Sequence, residues 1–199
     1  MPKYIDNLLA ETLIELSRDR NLDSITVMDL VSAAGVNRKT FYNHFDGIAG
    51  LLQYLIQKLE DELIADRDDP ENWGDSIRNI MEYMQEYAWF VSKVLRSKYL
   101  PELKTWLIPK LEESMKEYIN VGVQLLEQNT GNPYSLTDSQ LQLLARVYAP
   151  CVYYLIEDWF LNGMKEPIDE YMNVILRVLT GGVFAAIDYL VENGQSEEA

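Results

Sequence analysis

The sequence predicts an all-α fold, and three observations support this prediction. Apolar residues recur every three or four positions through most of the chain, which is the spacing of one face of a helix. No stretch alternates apolar and polar residues as a half-buried strand does. Glycine, proline and capping residues divide the chain into about eight to ten segments of helical length. We therefore expect a helical protein without a sheet.

The first two helices are marked by apolar periodicity and by capping residues. Leucine and isoleucine at helical spacing predict a first helix over residues 4–18, which the polar segment 21–24 interrupts. Thr26, followed three positions later by Asp29, is typical of the capping box that begins a helix. Gly35 then predicts the end of this short second helix, because glycine readily adopts the left-handed conformation found there.

The third and fourth helices follow directly. Asn37 is a suitable N-cap, so a third helix is expected over residues 38–44. Gly47 and Gly50 are expected to interrupt the helical pattern. A leucine-rich fourth helix is then expected over residues 51–63.

The middle of the chain contains two predicted loops and two predicted helix starts. The charged segment 66–72, which includes a proline, is expected to be a loop, as is the segment 129–135. Helices are expected to begin near Trp73 and near Pro101. Pro109 is expected to bend or interrupt the second of these helices.

The last two helices are expected to be long. Thr137 begins a second capping-box pattern, which predicts a helix that continues to Leu161 and ends before Gly163. Pro167 is suited to begin the final helix, which is expected to end near Gly194.

The composition argues against several classes of protein. Apolar residues make up 48% of the chain and charged residues 25%, which is ordinary for a globular protein. A single cysteine cannot form an internal disulfide, which favours the reducing cytoplasm. With a single histidine as well, we expect no metal site, no cofactor and no Ser–His–Asp catalytic set. No run of 18 apolar residues and no signal-peptide pattern is present, so no membrane association is expected.

The net charge of −15 is distributed unevenly. Residues 1–60 hold six basic and eight acidic residues, whereas the rest of the chain holds eleven basic and twenty-four acidic residues. The overall acidity argues against nucleic-acid binding, but a phosphate-binding surface needs only a local basic patch.

Such a patch lies in residues 35–45, GVNRKTFYNHF, which include the only histidine and no acidic residue. Two short helices joined by a glycine turn, with cations on the second helix, are typical of a helix-turn-helix. Helical spacing places Val36, Phe41 and Phe45 on the inner side. The outer side then carries Arg38, Lys39, Tyr42, Asn43 and His44. These residue types suit phosphate oxygens and base edges, although the same pattern also fits a surface helix with solvated cations.

Two segments resemble a known family. Residues 25–52, ITVMDLVSAAGVNRKTFYNHFDGIAGLL, resemble the N-terminal domain of the TetR family of transcriptional regulators. The residues that match the family pattern are Thr26, Val27, Ala34, Gly35, Val36, Thr40, Phe41, Tyr42, His44, Phe45 and Leu51. Residues 158–176, DWFLNGMKEPIDEYMNVIL, are similar to the C-terminal domain of a branch that includes the dihydroxyacetone kinase operon regulator.

The resemblance implies a domain organisation and a set of DNA-facing residues. It implies a helix-turn-helix domain over residues 1–50 and a larger helical effector-binding and dimerisation domain over residues 51–199. The residues it implies to face DNA are Thr26, Arg38, Lys39, Thr40, Tyr42, Asn43 and His44. Many members have a lysine where this chain has Ile48, so one phosphate contact per subunit is expected to be missing.

The C-terminal half is expected to carry the partner surface and an effector site. The helices near 137–162 and 167–192 are apolar on more than one side. The resemblance implies that they pair with their copies in a homodimer; alternatively, they form only the core of the monomer. Family members usually bind a small molecule in this domain, and the candidates for lining that site are Trp89, Phe90, Trp106, Tyr148, Tyr153 and Trp159. Aromatic residues at helical spacing would equally serve as core. Glu157 and Asp158 beside these aromatics could favour a cationic ligand, but we expect carboxylates that are solvated or cap a helix.

The expected function is that of a cytoplasmic, homodimeric, ligand-responsive transcriptional regulator. We expect it to act as a repressor that binds a near-palindromic operator in double-stranded DNA. The alternative is a TetR-like co-regulator or effector-binding protein with weak or no DNA binding. An enzyme is the least supported class, because the only histidine lies in the DNA-facing motif and no phosphate-cradling glycine loop occurs.

Overall fold

Nine α-helices and one 3₁₀ turn make up the regular structure of residues 2–63, 73–130 and 136–194, the residues that this computed structural model describes. No strand occurs in these three segments, which confirms the predicted all-α class. In chain order the helices are α1 (Pro2–Asp19), α2 (Val27–Ala34), α3 (Arg38–Tyr42), α4 (Ile48–Leu63), α5 (Trp73–Glu86), α6 (Ala88–Leu95), α7 (Leu100–Thr130), α8 (Asp138–Leu161) and α9 (Ile168–Gly194). The 3₁₀ turn, Leu22–Ser24, lies between α1 and α2.

The helices form two compact units. The described residues of 1–64 and 83–106 form the first unit, and those of 65–82 and 107–199 form the second. α6 therefore belongs to the same unit as α1 to α4, although α5 separates it from α4 in the chain. The boundary between residues 50 and 51 was predicted as a functional division and stays a prediction.

The predicted caps of the helix-turn-helix segment are confirmed. The Thr26 side chain accepts a hydrogen bond from the Asp29 amide, and the Asp29 carboxylate accepts one from the Thr26 amide. Gly35 ends α2 with a φ of 66°, the left-handed conformation that glycine adopts at low cost. Asn37 caps α3 by accepting a hydrogen bond from the Thr40 amide at 2.7 Å.

Two boundaries in this segment differ from the prediction. α3 ends at Tyr42, two residues early, and the chain continues as a turn in which the Phe45 amide still bonds to the Phe41 carbonyl. α4 begins at Ile48 rather than at Leu51, so Gly50 lies inside its first turn. The side chain of Ile48 is buried in the core of the first unit, and this packing outweighs the helix penalty of about 1 kcal/mol for one glycine.

The middle of the chain also departs from the prediction at one proline. α5 begins at Trp73 as expected. Pro109 lies inside α7 and does not end it, so an interruption there is wrong, whereas a bend at this proline stays a prediction. Buried side chains on either side of the proline, Leu103 and Met115, offset the interior-proline penalty of about 3 kcal/mol. The last residues of α7 are 129–130, which were predicted as loop. The predicted loops over 66–72 and the remainder of 129–135 lie outside the described residues.

Each unit has its own apolar interior. The first unit buries a cluster drawn from α1 to α4, α6 and the start of α7. Its fully buried members are Leu9, Leu13, Leu22, Leu30, Phe41 and Leu51. In the second unit, the buried faces of α8 and α9 supply most of the interior. The most deeply buried residues of these two helices are Ala145, Ala149, Trp159, Met172, Ile175, Leu179 and Ile187.

α8 and α9 approach each other closely at one glycine. A Cβ atom built on Gly182 would lie 2.9 Å from the hydroxyl oxygen of Tyr148 and 3.4 Å from its ring. Only a residue without a side chain leaves room for this tyrosine. The neighbouring Gly181 is exposed and has no atom within 4 Å of the same position. Gly182 therefore has a packing role that Gly181 does not share.

The final helix is long and apolar. By length and composition, Ile168–Ile187 could cross a membrane, although a helix in a protein core passes the same test. Buried side chains recur along α9 every three or four positions, at Met172, Ile175, Leu179, Val183 and Ile187. This pattern is that of a helix packed on one side against its own protein.

Candidate DNA-binding surface

The short helix α3 is anchored from below by aromatic side chains. Phe41 is completely buried and Phe45 is 8% exposed, with their ring centroids 5.9 Å apart. Tyr54 on α4 lies 5.6 Å from the Phe45 ring, and Val36 packs against the same cluster. The prediction that Val36, Phe41 and Phe45 face inward is confirmed. A five-residue helix cannot be stable alone, so these contacts are what fix its orientation.

The opposite side of α3 carries four exposed polar side chains: Arg38, Lys39, Tyr42 and Asn43. The Arg38 guanidinium lies 5.4 Å from the centre of the Tyr42 ring and donates to its hydroxyl at 3.5 Å. This i,i+4 pair presents a cation and an aromatic ring side by side. The four residues therefore form one exposed surface that can meet phosphate oxygens and base edges.

Thr40 lies deeper than its neighbours. It is half-buried, and both its amide and its hydroxyl donate to the side-chain oxygen of Asn37, at 2.7 Å and 3.1 Å. Its hydroxyl proton is thus used in the cap of α3. A DNA contact by Thr40 stays a prediction and would have to use the lone pairs of its hydroxyl or replace this bond.

The start of α2 is organised by a carboxylate and an arginine. Thr26 is exposed, but its amide and its hydroxyl donate to Asp29 at 2.9 Å and 2.6 Å. Arg20 in turn holds Asp29 through both carboxylate oxygens, each at 3.2 Å. The hydrogen bond from Arg20, followed by those from Thr26, holds the pKa of the Asp29 carboxyl well below its usual range. The ion pair neutralises a negative charge that would otherwise stand where DNA phosphate is expected.

Sequence reasoning missed Arg20. Its importance depends on a partner nine positions away across a turn, and no helical or strand periodicity connects these two positions. The only available signal was the presence of a cation just before the capping box.

His44 is tied to α1. Its Nδ1 lies 2.6 Å from the Asp6 carboxylate, and both side chains are mostly buried, with 21% and 17% of their surface exposed. Because a carboxylate accepts hydrogen bonds, Nδ1 is the donor in this pair. α4 is tied to α1 nearby, where Tyr54 and Lys58 donate to the side chain of Asn7. His44 thus holds the end of α3 to α1, and its predicted contact with DNA stays a prediction.

Ile48 occupies the position where many TetR proteins carry lysine. Its side chain is 5% exposed and belongs to the core of the first unit. The departure from the family pattern therefore replaces a surface cation by a buried apolar group.

The second unit leaves an apolar face uncovered. Along α8, Leu143, Val147, Tyr154 and Leu161 are exposed, with the exposed Cys151 between them. Along α9, the exposed residues at matching intervals are Val174, Val178, Gly181, Ala185 and Tyr189. These intervals of three or four residues, with one of seven, define one stripe on each helix.

The six candidate effector residues divide between the units. Trp89 and Phe90 pack against the core of the first unit, and Trp106 is half-buried at the end of the segment 83–106. Tyr148, Tyr153 and Trp159 lie on α8 in the second unit. Trp159 is fully buried, and its indole N–H donates to the Glu166 carbonyl at 3.0 Å.

A buried polar pair lies beside these α8 aromatics. Glu157 is only 8% exposed, so the expectation that it is solvated or caps a helix is wrong. The Tyr153 hydroxyl donates to its carboxylate at 3.3 Å. Burial, and then the nearby Glu157 charge, raise the pKa of the Tyr153 hydroxyl far above its usual value. The sequence shows that Glu157 lies in a largely apolar helix, but it does not show whether Glu157 is on the buried or the exposed side of that helix.

Both halves of the chain match known regulators. A family model of bacterial regulatory proteins of the tetR family matches residues 9–55, and a model of a transcriptional regulator C-terminal region, TetR_C_8, matches residues 71–181. The HTH-type dhaKLM operon transcriptional activator DhaS of Lactococcus lactis is 28% identical over 87 residues, which are 44% of this chain. That match spans 46% of the length of DhaS.

Solved structures show the same fold over nearly the whole chain. The dihydroxyacetone kinase operon activator DhaS superposes with a TM-score of 0.62 at 18% identity, covering 90% of this chain and 96% of DhaS. The TetR-family repressor FadR of Thermus thermophilus, solved in complex with lauroyl-CoA, gives a TM-score of 0.59 at 18% identity and covers 88% of this chain and 93% of FadR. The family matches, the helix-turn-helix geometry and the shared fold agree, and this chain belongs to the TetR family of transcriptional regulators and resembles its DhaS branch.

Proposed function

We propose that this protein is a ligand-responsive repressor that binds a near-palindromic operator as a homodimer. Residues 1–50 supply the DNA-reading surface in this proposal, and residues 51–199 supply the effector site and the dimer interface. The single observation that carries it is the surface of α3, where Arg38, Lys39, Tyr42 and Asn43 are exposed above the buried Phe41.

The charge and hydrogen-bonding groups of these side chains indicate which of them would contact phosphates and which would contact bases. Arg38 and Lys39 can neutralise phosphates or donate to guanine edges. Asn43 is the candidate base reader, because its amide donates and accepts at once and so fits an adenine edge. Tyr42 and the amides at the start of α2 can donate to phosphate oxygens.

The test begins with selection of bound duplexes from genomic fragments by the wild-type protein. The Arg38→Ala, Lys39→Ala double variant is then compared with the wild type on the selected operator over a range of salt concentrations. Two lost phosphate contacts per subunit should lower the salt slope by about 1.8 per subunit. Because both side chains are exposed, each substitution should change the free energy of unfolding by no more than about 0.5 kcal/mol. An unchanged affinity and slope in a folded variant would mean that Arg38 and Lys39 are only solvated and that the surface of α3 does not bind the operator.

The co-regulator alternative is favoured by one observation. The buried Ile48 cannot supply the phosphate contact that lysine makes in many family members. The two functions are separated by the wild-type selection itself, because a co-regulator would enrich no sequence above background at physiological salt.

The homodimer is supported by the uncovered stripes of α8 and α9. Exposed apolar residues at regular intervals on two long helices are suited to a four-helix bundle with a second copy. A two-fold axis through that bundle would present two copies of α3 to half-sites separated by about one turn of DNA or a multiple of it.

Cys151 provides a direct test of this interface. It is the only cysteine, and it is exposed in the single chain between Val147 and Tyr154. If a second copy covers the stripe, its reaction with a water-soluble thiol reagent should slow as protein concentration rises through the dimer dissociation constant. Light scattering that reports a monomer at micromolar concentration, with fast and concentration-independent labelling, would contradict the dimer.

The effector site is proposed to lie in the second unit, beside Glu157 and Tyr153. A buried carboxylate with an aromatic hydroxyl can fix the orientation of a ligand that carries a cation or several donors. An effector that releases DNA must bind the DNA-free state more tightly, so operator DNA must weaken effector binding by the same factor. Calorimetry of a candidate effector with and without operator measures this factor, and equal affinities would exclude that effector from the mechanism.

The sign of regulation is a separate part of the proposal. The DhaS relative is named an activator and the FadR neighbour a repressor. A reporter gene placed behind the selected operator should lose expression when this protein is present and regain it when the effector is added. Increased expression on adding the protein would make it an activator.

A further inference from the structure

A lysine from α6 closes the end of α1. The ammonium group of Lys93 donates to the backbone carbonyls of Ser17, Arg18 and Arg20, the last two at 3.1 Å. An ammonium group has three donors, and all three are used here. The carbonyls in the last turn of a helix have no partners within that helix, so Lys93 supplies what the end of α1 lacks.

The next turn is held from the same side. The backbone amide of Lys98 donates to the Asp23 carboxylate at 2.9 Å, and its ammonium group donates to the Asp23 carbonyl at 2.8 Å. The segment from Ser17 to Ser24, which connects α1 to α2, is therefore held by residues about 75 positions away in sequence. We call this connection the α1–α2 corner.

The α1–α2 corner leads directly to the start of α2. Arg20, whose carbonyl accepts from Lys93, donates to the Ser24 carbonyl at 3.0 Å and holds both oxygens of Asp29. Asp29 in turn holds the amide and hydroxyl of Thr26, the cap of α2. Hydrogen bonds through Arg20 and Asp29 thus connect the ammonium group of Lys93 to Thr26, the N-cap of α2.

Trp89 keeps the lysine in place. Its ring lies one helical turn before Lys93, with the Lys93 ammonium group 5.9 Å and the Arg18 guanidinium 5.0 Å from the ring centre. Both cations therefore share one aromatic ring at the end of α1. This placement gives Trp89 a role in the first unit that differs from the effector contact predicted from its sequence.

We propose that Lys93 is a positioning residue for DNA binding: it holds the α1–α2 corner and, through Arg20 and Asp29, sets the position of the first turn of α2 relative to α3. The inference rests on the proposed function, because the position of α2 relative to α3 affects DNA binding only if these helices bind DNA. It assigns Lys93 no contact with DNA. Its donors are already occupied by three carbonyls, and its side chain is half-buried. Loss of the ammonium group removes these three hydrogen bonds and leaves the α1–α2 corner held from this side only by Lys98 at Asp23.

The test compares Lys93→Met, Lys93→Arg and a control, Lys165→Met. Methionine keeps an unbranched stem beside Trp89 without donors, whereas arginine keeps the charge and several donors. Lys165 is an exposed lysine of the second unit, so its variant loses the same charge without touching the corner. Each variant is measured for operator affinity, for the salt dependence of that affinity, and for hydrogen exchange of the amides of residues 21–28.

The expected results distinguish three roles for Lys93: positioning α2, contacting DNA directly, and only stabilising the fold. Lys93→Met should weaken operator binding about tenfold, a loss of about 1.4 kcal/mol, with an unchanged salt slope. Its amides in residues 21–28 should exchange faster, Lys93→Arg should restore most of the affinity, and Lys165→Met should match the wild type. A salt slope lowered by about 0.9 would mean a phosphate contact, and that result overturns the inference. Unchanged affinity of the folded Lys93→Met variant also overturns it.

Two further outcomes keep the inference distinct from the proposed function. If the wild type selects no duplex, the proposed function fails, and Lys93 then has no DNA-binding role to support. Hydrogen exchange would still decide whether Lys93 holds the α1–α2 corner. If Lys93→Met does not fold, Lys93→Gln, which keeps an amide donor, takes its place in the same measurements.

Discussion

The two units differ in what they leave exposed. Among the described residues, the large exposed apolar or aromatic side chains of the first unit are Tyr4, Met28, Tyr42 and Tyr87. Those of the second unit are Leu125, Leu143, Val147, Tyr154, Leu161, Val174, Val178 and Tyr189. The first set is mostly tyrosine, which has a polar end, whereas the second is mostly aliphatic. The first unit therefore exposes few large apolar side chains, whereas the second leaves an apolar stripe exposed along α8 and α9.

In the proposed function, this difference suits the chain to two kinds of partner. A surface for DNA needs exposed donors on a rigid support, which the first unit provides through α3 and its buried phenylalanines. A surface for a second copy needs apolar area that water would otherwise contact, which α8 and α9 provide. Charge follows the same division, since most of the negative charge lies after residue 60.

The largest expected effect tests whether α3 has one buried side and one exposed side. Phe41→Ala removes a completely buried ring and should lower the free energy of unfolding by about 3–5 kcal/mol. Tyr42→Ala, at the adjacent exposed position, should change it by no more than about 0.5 kcal/mol. Denaturant unfolding measures both values. Equal losses in the two variants would mean that α3 does not have one inner and one outer side.

The second prediction tests whether a second copy covers the apolar stripe that is exposed in the single chain. Ala185→Asp places a charge on the exposed stripe of α9, where it is harmless in a monomer but buried and unpaired in the proposed dimer. We expect the dimer to weaken by about 100-fold or more, as measured by sedimentation.

Asn173→Asp is the matched control for this variant. It adds the same charge at an exposed position of the same helix, outside the stripe. It should leave the dimer intact. If both variants dissociate equally, net charge rather than burial controls assembly.

The third prediction concerns the contact between α8 and α9. Gly182→Ala forces the Tyr148 ring to move, whereas Gly181→Ala meets no atom within 4 Å. Both changes raise helix propensity equally, so their difference isolates the packing contact. We expect the Gly182→Ala variant to be less stable than the Gly181→Ala variant by about 1–3 kcal/mol.

These two glycine variants are best measured in the Ala185→Asp background, so that the proposed dimerisation is not expected to contribute. Adding Tyr148→Phe to Gly182→Ala removes the oxygen at 2.9 Å and should recover part of the loss. No recovery would mean that another contact limits the approach of the helices.

The smallest expected effect is the pH dependence of the ion pair between Asp29 and Arg20 in the first unit. The folded pKa of Asp29 is lowered, chiefly by Arg20, from an ordinary value of 3.8. Its contribution to stability is therefore present above that value and is lost as the pH falls toward the folded pKa. The wild type should be more stable than the Asp29→Asn variant at pH 7, and the difference should shrink below pH 4. A difference that stays constant down to pH 3 would argue against the Arg20 ion pair.

Several features of the fold were predictable because they depend on neighbours in the chain. The capping boxes at Thr26 and Thr137, the Asn37 cap and the left-handed Gly35 are confirmed at their predicted positions. The inner placement of Phe41 follows from helical spacing alone. The helix breaks expected at Gly50 and Pro109 were wrong for the opposite reason. Burial of their neighbours outweighs local propensity, and burial depends on residues far away in sequence.

The sequence by itself determined the helical class, most helix boundaries, the inner and outer sides of α3, and the basic patch among acidic surroundings. These properties come from periodicity, capping chemistry and composition, which act within a few residues. Only the tertiary structure decided that Ile48 and Glu157 are buried, that His44 pairs with Asp6, and that Lys93 closes α1. Each of these depends on which distant segments meet, and a single sequence carries no periodic signal for a contact across 38 or 76 residues.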